Sequence, residues 1–173
     1  MNDSREKPGP KASADNTHVA RVLDRIADLL EFKNENPFKV RSYRMASQTM
    51  ADLREPVADI AGRGASELQK IPGIGKTISA QIVEIAETGT SPYFESLKKE
   101  IPETVLDLRR VSGIGLKTAQ LLYRDFGVRS LGELKAFAQG GGLMSVPGLG
   151  EQTSDRIMRS LDRIESEREP SLS

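Results

Sequence analysis

The chain has no cysteine and no tryptophan, and its single histidine is His18. Without thiols there are no disulfides, no thiolate zinc sites and no cysteine nucleophile, and one imidazole excludes chemistry that needs a well-placed second histidine. His18 stands at the mouth of the first predicted helix, where we expect a surface residue of no chemical consequence. Charge of one sign is also missing, since 25 basic residues balance 25 acidic ones. The chain is therefore no polycation, and any attraction for nucleic acid must come from local patches. No apolar run approaches the roughly 18 residues that span a bilayer. The polar start "MNDSREKPGPKASADN" lacks the apolar stretch of a secretory signal, so a soluble chain with a cytoplasmic address is expected. Alternation of period two, the mark of a half-buried strand, is not found either. A length of 173 residues suits one domain or two small ones.

What the sequence does contain is helical periodicity. Residues 1–14, with Pro8, Gly9 and Pro10 among polar neighbours, read as a disordered tail. Val19, Val22, Leu23, Ile26, Leu29 and Leu30 then recur at helical spacing, and Pro37 forces Asn36 out of the helical region. A second helix turns Val40, Tyr43, Ala46, Met50 and Leu53 inward, leaving Lys39, Arg41 and Arg44 at or near the opposite side. "SELQ" (66–69) and "SLGE" (130–133) have the spacing of capping boxes. Helices are predicted over 76–88, closed by Gly89, over 92–99 and 102–111, each opened by a proline, and over 116–126, stopped by Gly127. Another follows Ser130 and ends in "GGG" at 140–142, and a last one runs from Glu151 to Glu165 or beyond. The fold class is all-α, a small helical domain followed by tandem hairpins.

Three stretches, "LQKIPGIGKTISAQI", "LRRVSGIGLKTAQLL" and "LMSVPGLGEQTSDRI", repeat one pattern: apolar, Pro or Ser, Gly, apolar, Gly, helix. Their first glycines, Gly73, Gly113 and Gly148, lie 40 and 35 residues apart, which makes the loop one member of an array. Two nucleotide-binding loops are excluded. A P-loop needs glycine where Lys70 stands and a strand before it. A dinucleotide fingerprint needs a third glycine where Ile78, Thr118 and Thr153 stand.

What remains is the helix-hairpin-helix motif. Gly73, Gly75, Gly113 and Gly115 let the chain reverse tightly and bring backbone amides close to a phosphate with no Cβ in the way. The second helix of each hairpin then aims its N-terminal amides and dipole at the same point. Ile74, Ile114 and Leu149 would plug each bend into its helix pair, and Lys76 and Lys117 add charge beside the first two. The third hairpin has Glu151 and Gln152 at those positions, so we expect it to bind phosphate poorly or to serve packing. Backbone contacts read no bases, which makes any such binding largely independent of sequence. A tight interhelical turn without a ligand is the plain alternative for each bend. Lys39, Arg41 and Arg44 could equally form a solvated face, Tyr43 a core residue, and Arg109 and Arg110 a helix C-terminal cap.

"ENPFKVRSYRMAS" (35–47), "IPGIGKTISAQIVEIAETG" (71–89), "VSGIG" (111–115) and "FGVRSLGEL...VPGLG" (126–150) occur together in order and spacing. In this the chain resembles the amino-terminal region of family X DNA polymerases, the bacterial form above all, over about residues 17–165. The resemblance implies a small helical domain (15–90) that holds the 5′ side of a DNA gap. A following part (91–167), with the second and third hairpins, would grip duplex by its backbone, and a short tail (168–173) would end the chain. The polar stretch after Glu165 reads as a natural stop. Polymerisation in that family uses palm carboxylates holding magnesium, and this chain has no Asp-x-Asp and no length left for a palm.

The family's removal of 5′-deoxyribose phosphate needs a Schiff-base lysine, and the matching position here is Gln81. Of the family's phosphate contacts Lys39 and Tyr43 match, whereas other basic positions fall on Phe38, Thr77 and Tyr93. Lys39 and Lys76 are left as weak candidates for an amine nucleophile. The resemblance also implies a sodium or potassium ion at the hairpins, held by the main-chain carbonyls of Gln69, Ile71 and Ile74 and of Arg109, Val111 and Ile114. Three readings stay open. They are a DNA-binding repair or replication accessory that works beside a separate polymerase or nuclease, a lyase-type domain or polymerase fragment, and a helical scaffold for protein partners.

Overall fold

A computed structural model describes residues 15–168, all helix and connecting turn without a strand among them. The tails expected at 1–14 and 168–173 lie outside the described residues, apart from Arg168, which closes the last helix. The chain divides between Glu100 and Ile101 into two compact units.

The first unit is built on α1 (Asn16–Phe32) and α2 (Pro37–Asp52), an antiparallel pair. Asp15 caps α1 by accepting from His18 N, and Asn36 caps α2 by accepting from Phe38 N, with Pro37 in the first turn where its missing N–H is harmless. Val19, Leu23, Ile26 and Leu30 on α1 and Tyr43, Ala46 and Met50 on α2 form one buried seam. Asn16 ties the next connection to the start of α1, its Oδ1 accepting from Val57 N at 2.7 Å and its Nδ2 donating to Glu55 O at 3.0 Å. α3 (Val57–Gly62) and α4 (Ala65–Gln69) lead into the first hairpin bend and α5 (Lys76–Thr88), whose Ile78, Ile82 and Ile85 complete the core. α6 (Pro92–Glu100) then packs on α1 through buried Phe94 and Leu97.

The second unit comprises a 3-10 segment (Glu103–Arg110), α7 (Leu116–Phe126), α8 (Leu131–Gln139), a shorter 3-10 turn (Gly142–Ser145) and α9 (Glu151–Arg168).

The division into compact units falls after α6, at 100/101, because α6 buries its apolar face against α1. Three expectations need correction. The stretch 102–111 is 3-10 rather than α: its buried residues Val105, Leu108 and Val111 recur every third position, the period of the tighter helix. "SELQ" is no capping box, since α4 begins a residue earlier behind Gly64 at φ 110° and Ser66 makes no cap bond. His18 is half-buried, its Nε2 2.8 Å from the carbonyl of Gly89 at the end of α5. "SLGE" does cap, with Ser130 Oγ accepting from Glu133 N, while the Glu133 carboxylate accepts from Arg129 N.

Candidate nucleic-acid interface

The three bends are alike hydrogen bond for hydrogen bond. Ile74 N donates to Ile71 O, Ile114 N to Val111 O and Leu149 N to Val146 O, at 3.1, 3.1 and 3.2 Å. One step later Ser79, Ala119 and Ser154 each donate to the carbonyl of the second glycine of their bend at 2.9 Å. Gly73, Gly113 and Gly148 take φ of 89°, 101° and 86°, a left-handed conformation that side chains strain to adopt, so glycine is required at these positions. Gly75 and Gly115 have φ of −92° and −95° and need no glycine for their torsion. What they leave is open space: a Cβ at either would have no protein atom within 4 Å. Ile74 and Ile114 plug their bends, both buried, whereas Leu149 is only half-buried.

The helix starts behind the first two bends differ from those of α1, α2 and α8, and, unlike the uncapped α3 and α4, carry no acidic residue in the first turn. α1, α2 and α8 are capped by Asp15, Asn36 and Ser130. α5 and α7 start behind Gly75 and Gly115 with no side-chain cap and no acidic residue in the first turn. Their leading amides are therefore offered outward, where the helix dipole favours an anion. Lys76 and Lys117 stand exposed beside them, with no ion-pair partner among the described residues. At the third bend Glu151 occupies the first turn and opposes an anion.

In the first unit the bend forms one wall of a groove of about 480 Å³, lined by Gly73, Gly75, Lys76, Thr77 and Ile78 on one side and by Lys39, Ser42 and Tyr43 of α2 on the other. Tyr43 is 3% exposed and its hydroxyl accepts a hydrogen bond from Gln81 Nε2, which joins α2 to α5. Its ring stacks on Tyr93, centroids 6.1 Å apart and planes 17° from parallel. Burial pushes the Tyr43 phenol above its ordinary range, although the Gln81 bond pulls the other way. The Lys39 ammonium lies 5.4 Å from the Tyr93 centroid. A hydrogen bond to the Tyr93 side chain raises its pKa, against a lowering by burial. A raised amine pKa is the reverse of what Schiff-base chemistry needs, because the nucleophile is the neutral amine. Gln81 is 6% exposed with its Oε1 unpartnered, and an amide there supplies no nucleophile.

The second bend is set differently. A Cβ on Gly113 would lie 3.0 Å from Ile157 Cγ1 and 3.4 Å from Thr153 Cγ2, both on α9, so the third hairpin's helix is packed against the second hairpin's loop. Where the other bends have Pro72 and Pro147, this one has Ser112, which adds a backbone N–H. Buried Ser160 of α9 accepts that N–H at 2.9 Å. The third hairpin thus braces the second, packing being one of the two roles expected for it.

Of the residues nominated from sequence, Lys39, Tyr43, Gly73, Gly75 and Lys76 meet at the groove. Gly113, Gly115 and Lys117 meet at the second bend, and Arg41 stands exposed on α2. Arg44 belongs elsewhere: its guanidinium contacts Asp24, Asp28 and Glu31 of α1 at 3.0, 2.9 and 3.2 Å, which makes it a clamp between α1 and α2 instead of a phosphate ligand. The carboxylates at 24, 28 and 31 follow one helix face, and that spacing was the available signal. Burial of Asp28 raises its pKa despite the Arg44 bond. Ser42 and Thr77 line the groove without having been nominated, and Ser160 was missed because its role depends on a residue 48 positions away. Among the carbonyls named for a cation, those of Ile71 and Val111 each accept one loop hydrogen bond.

Residues 14–91 match a family model described as a helix-hairpin-helix domain, and residues 105–163 one described as a SAM-like helix-hairpin-helix tandem. The chain is 29% identical over 143 residues to the DNA polymerase/3′-5′ exonuclease PolX of Bacillus subtilis (strain 168), covering 83% of this chain and 24% of that protein. It is 26% identical over 157 residues to DNA polymerase lambda of Rattus norvegicus, covering 90% of this chain and 25% of that protein. The Holliday junction branch migration complex subunit RuvA of Acidovorax sp. (strain JS42) is 24% identical over 96 residues, 56% of this chain and 50% of that one. The polymerase relatives bear out the resemblance to family X DNA polymerases read from the motifs, and the chain spans about a quarter of their length. No described helix is long and apolar enough to cross a membrane.

Proposed function

We propose that this chain is a sequence-independent DNA-binding protein that recognises gapped, nicked or flapped duplex through backbone phosphates, and that it serves repair or replication. The observation that carries this is the pair of uncapped helix starts, α5 and α7, each behind a glycine bend with open space before it and an exposed lysine beside it. A phosphodiester supplies the acceptors those amides lack. In the first unit the groove adds Lys39 opposite Lys76, so two cations face one concavity, which suits a strand end carrying a terminal phosphate. In the second unit Gly115 and Lys117 present a single backbone contact that suits continuous duplex. Sodium or potassium at the carbonyls of 69, 71 and 74 and of 109, 111 and 114 would bridge loop to phosphate, carbonyl oxygens being ligands such ions accept. The work would be cytoplasmic and shared with a separate polymerase or nuclease.

The reading is non-catalytic, since Gln81 offers no amine and a hydrogen bond to Tyr93 raises the pKa of Lys39, which disfavours the neutral amine. The test is fluorescence anisotropy with gapped, nicked and intact duplex over a salt series. Affinity should fall steeply as salt rises, because bound phosphates release counterions. A flat salt response from folded protein would leave the scaffold reading in its place. Borohydride reduction on an abasic-site substrate should give no covalent adduct, and an adduct lost on substituting Lys39 or Lys76 would restore the lyase reading.

A further inference from the structure

In the second unit the bend that carries Gly115 has cations beside it that its own motif does not supply. Ser112 of this bend donates its N–H to Ser160 of α9 at 2.9 Å, and Gly113 sits against Thr153 and Ile157 of the same helix. Arg156 and Arg163 stand four residues before Ser160 and three after it, so they are its neighbours on one side of α9, a turn away toward either end. Both are exposed, and neither has an ion-pair partner among the described residues. Two unpaired guanidinium groups thus bracket the place where the loop touches the helix.

The charge of α9 is sorted by side. Its four arginines are outnumbered by five carboxylates, so only position can make a cationic surface here. At about 100° per residue, Arg156 and Arg163 lie about 40° and 60° round the helix from Ser160, whereas Asp155, Asp162, Glu165 and Glu151 lie about 140° or more away. Glu167 shares the side of Ser160, but it follows Arg163 toward the helix end and does not pair with it.

We infer that Arg156, the second bend and Arg163 form a three-point cradle for successive phosphates of one duplex strand, the bend's amides taking the middle phosphate and the arginines those on either side. Seven helical residues set the two arginines about 10 Å apart. A strand of duplex presents one phosphate for about every 3.4 Å of its axis, so the span suits about three of them. The occupant is chosen by what lies between the arginines, since charge alone would admit an acidic protein. That loop offers main-chain N–H groups beside Gly115, where no Cβ stands in the way. The seat suits an anion that is part of a regularly spaced backbone, whereas an acidic protein carries its carboxylates on side chains with no fixed repeat. The inference rests on the DNA-binding reading and widens its second contact from one phosphate to a short run, through a helix whose own bend opposes anions.

The experiment titrates the whole chain with intact duplex over a salt series, by anisotropy, with circular dichroism on the same samples. It compares wild type, Arg156→Ala/Arg163→Ala, and Arg168→Ala, which removes a charge from α9 two turns past Ser160. The double variant should keep its helix content and lose about two units of salt slope, and Arg168→Ala should lose almost none. In a Gly115→Val background, where the middle seat is blocked, removing the two arginines should cost clearly less slope than in wild type, because all three points hold one strand. An unchanged slope in the double variant, an equal loss per charge in Arg168→Ala, or the same loss with and without Gly115→Val would each overturn the cradle. So would labelled polyglutamate that binds wild type as tightly as duplex does and loses that binding in the double variant, since the surface would then belong to an acidic protein. If wild type shows no salt-dependent binding to duplex, the DNA-binding reading itself falls, a result distinct from each of these.

Discussion

At the first bend a side chain added to Gly73 would enter open solvent, whereas at the second one added to Gly113 would strike Ile157 at 3.0 Å. The two loops have the same hydrogen bonds and nearly the same torsions, so the difference lies in their settings. The first is half of a groove whose other half is α2. The second is backed by α9 and shares a hydrogen bond with it. One motif thus forms the wall of an open groove in one place and a joint in a packed unit in the other, and local sequence alone does not separate the two settings.

Substitutions can sharpen or break this contrast. The largest effect is expected at Gly113. Valine there meets both the left-handed strain, about 1–2 kcal/mol, and overpacking against Ile157, about 1–3 kcal/mol. Gly73→Val should show the strain alone, and urea denaturation would read the gap between them. Equal losses would mean that the two settings are not different.

Next comes Ser160→Ala, which leaves the Ser112 amide without its partner and should cost about 1–3 kcal/mol. Adding Ser112→Pro should recover most of it by removing the donor. Val111 is already extended, at φ −84° and ψ 126°, as a residue before proline must be. If the double variant is no more stable than the single one, Ser160 acts by something other than that hydrogen bond.

Gly75→Val should unfold nothing, its φ being ordinary and its surroundings empty, yet it should weaken DNA binding by about tenfold by keeping phosphate off the amides of α5. Circular dichroism and anisotropy on the same sample separate the two effects. Lys76→Ala and Lys117→Ala should each reduce the salt dependence by about one unit of slope. The smallest effect belongs to the third hairpin, where Glu151→Ala should leave affinity within about twofold of wild type. A larger change there would mean that this bend touches DNA after all.

The repeat was legible because a tight reversal with φ near 90° admits little except glycine, so the requirement is written into residue type at Gly73, Gly113 and Gly148. Helix extents were legible where apolar period, caps and terminal glycines agree, as in α1, α5 and α7. Less was visible where position depends on distant partners. The fate of Arg44 was decided by three carboxylates on a neighbouring helix. The membership of α6 was decided by where Phe94 and Leu97 found apolar cover, and Ser160 matters only because position 112 is not proline. At the groove, Lys39, Lys76 and the glycines could be named from sequence, while the burial of Tyr43 followed from which side of α2 faces α5.

The uncapped starts of α5 and α7 tie recognition to local order. A helix end with unmet donors frays more readily than one held by its own side chain, so the first-turn amides of the free protein should exchange their hydrogens with solvent quickly. An anion seated on them acts as the missing cap, slowing that exchange and raising the melting temperature with ligand concentration. Even inorganic phosphate, offered as a crude substitute, should protect Lys76, Thr77, Leu116 and Lys117 before it protects the capped starts of α1, α2 and α8.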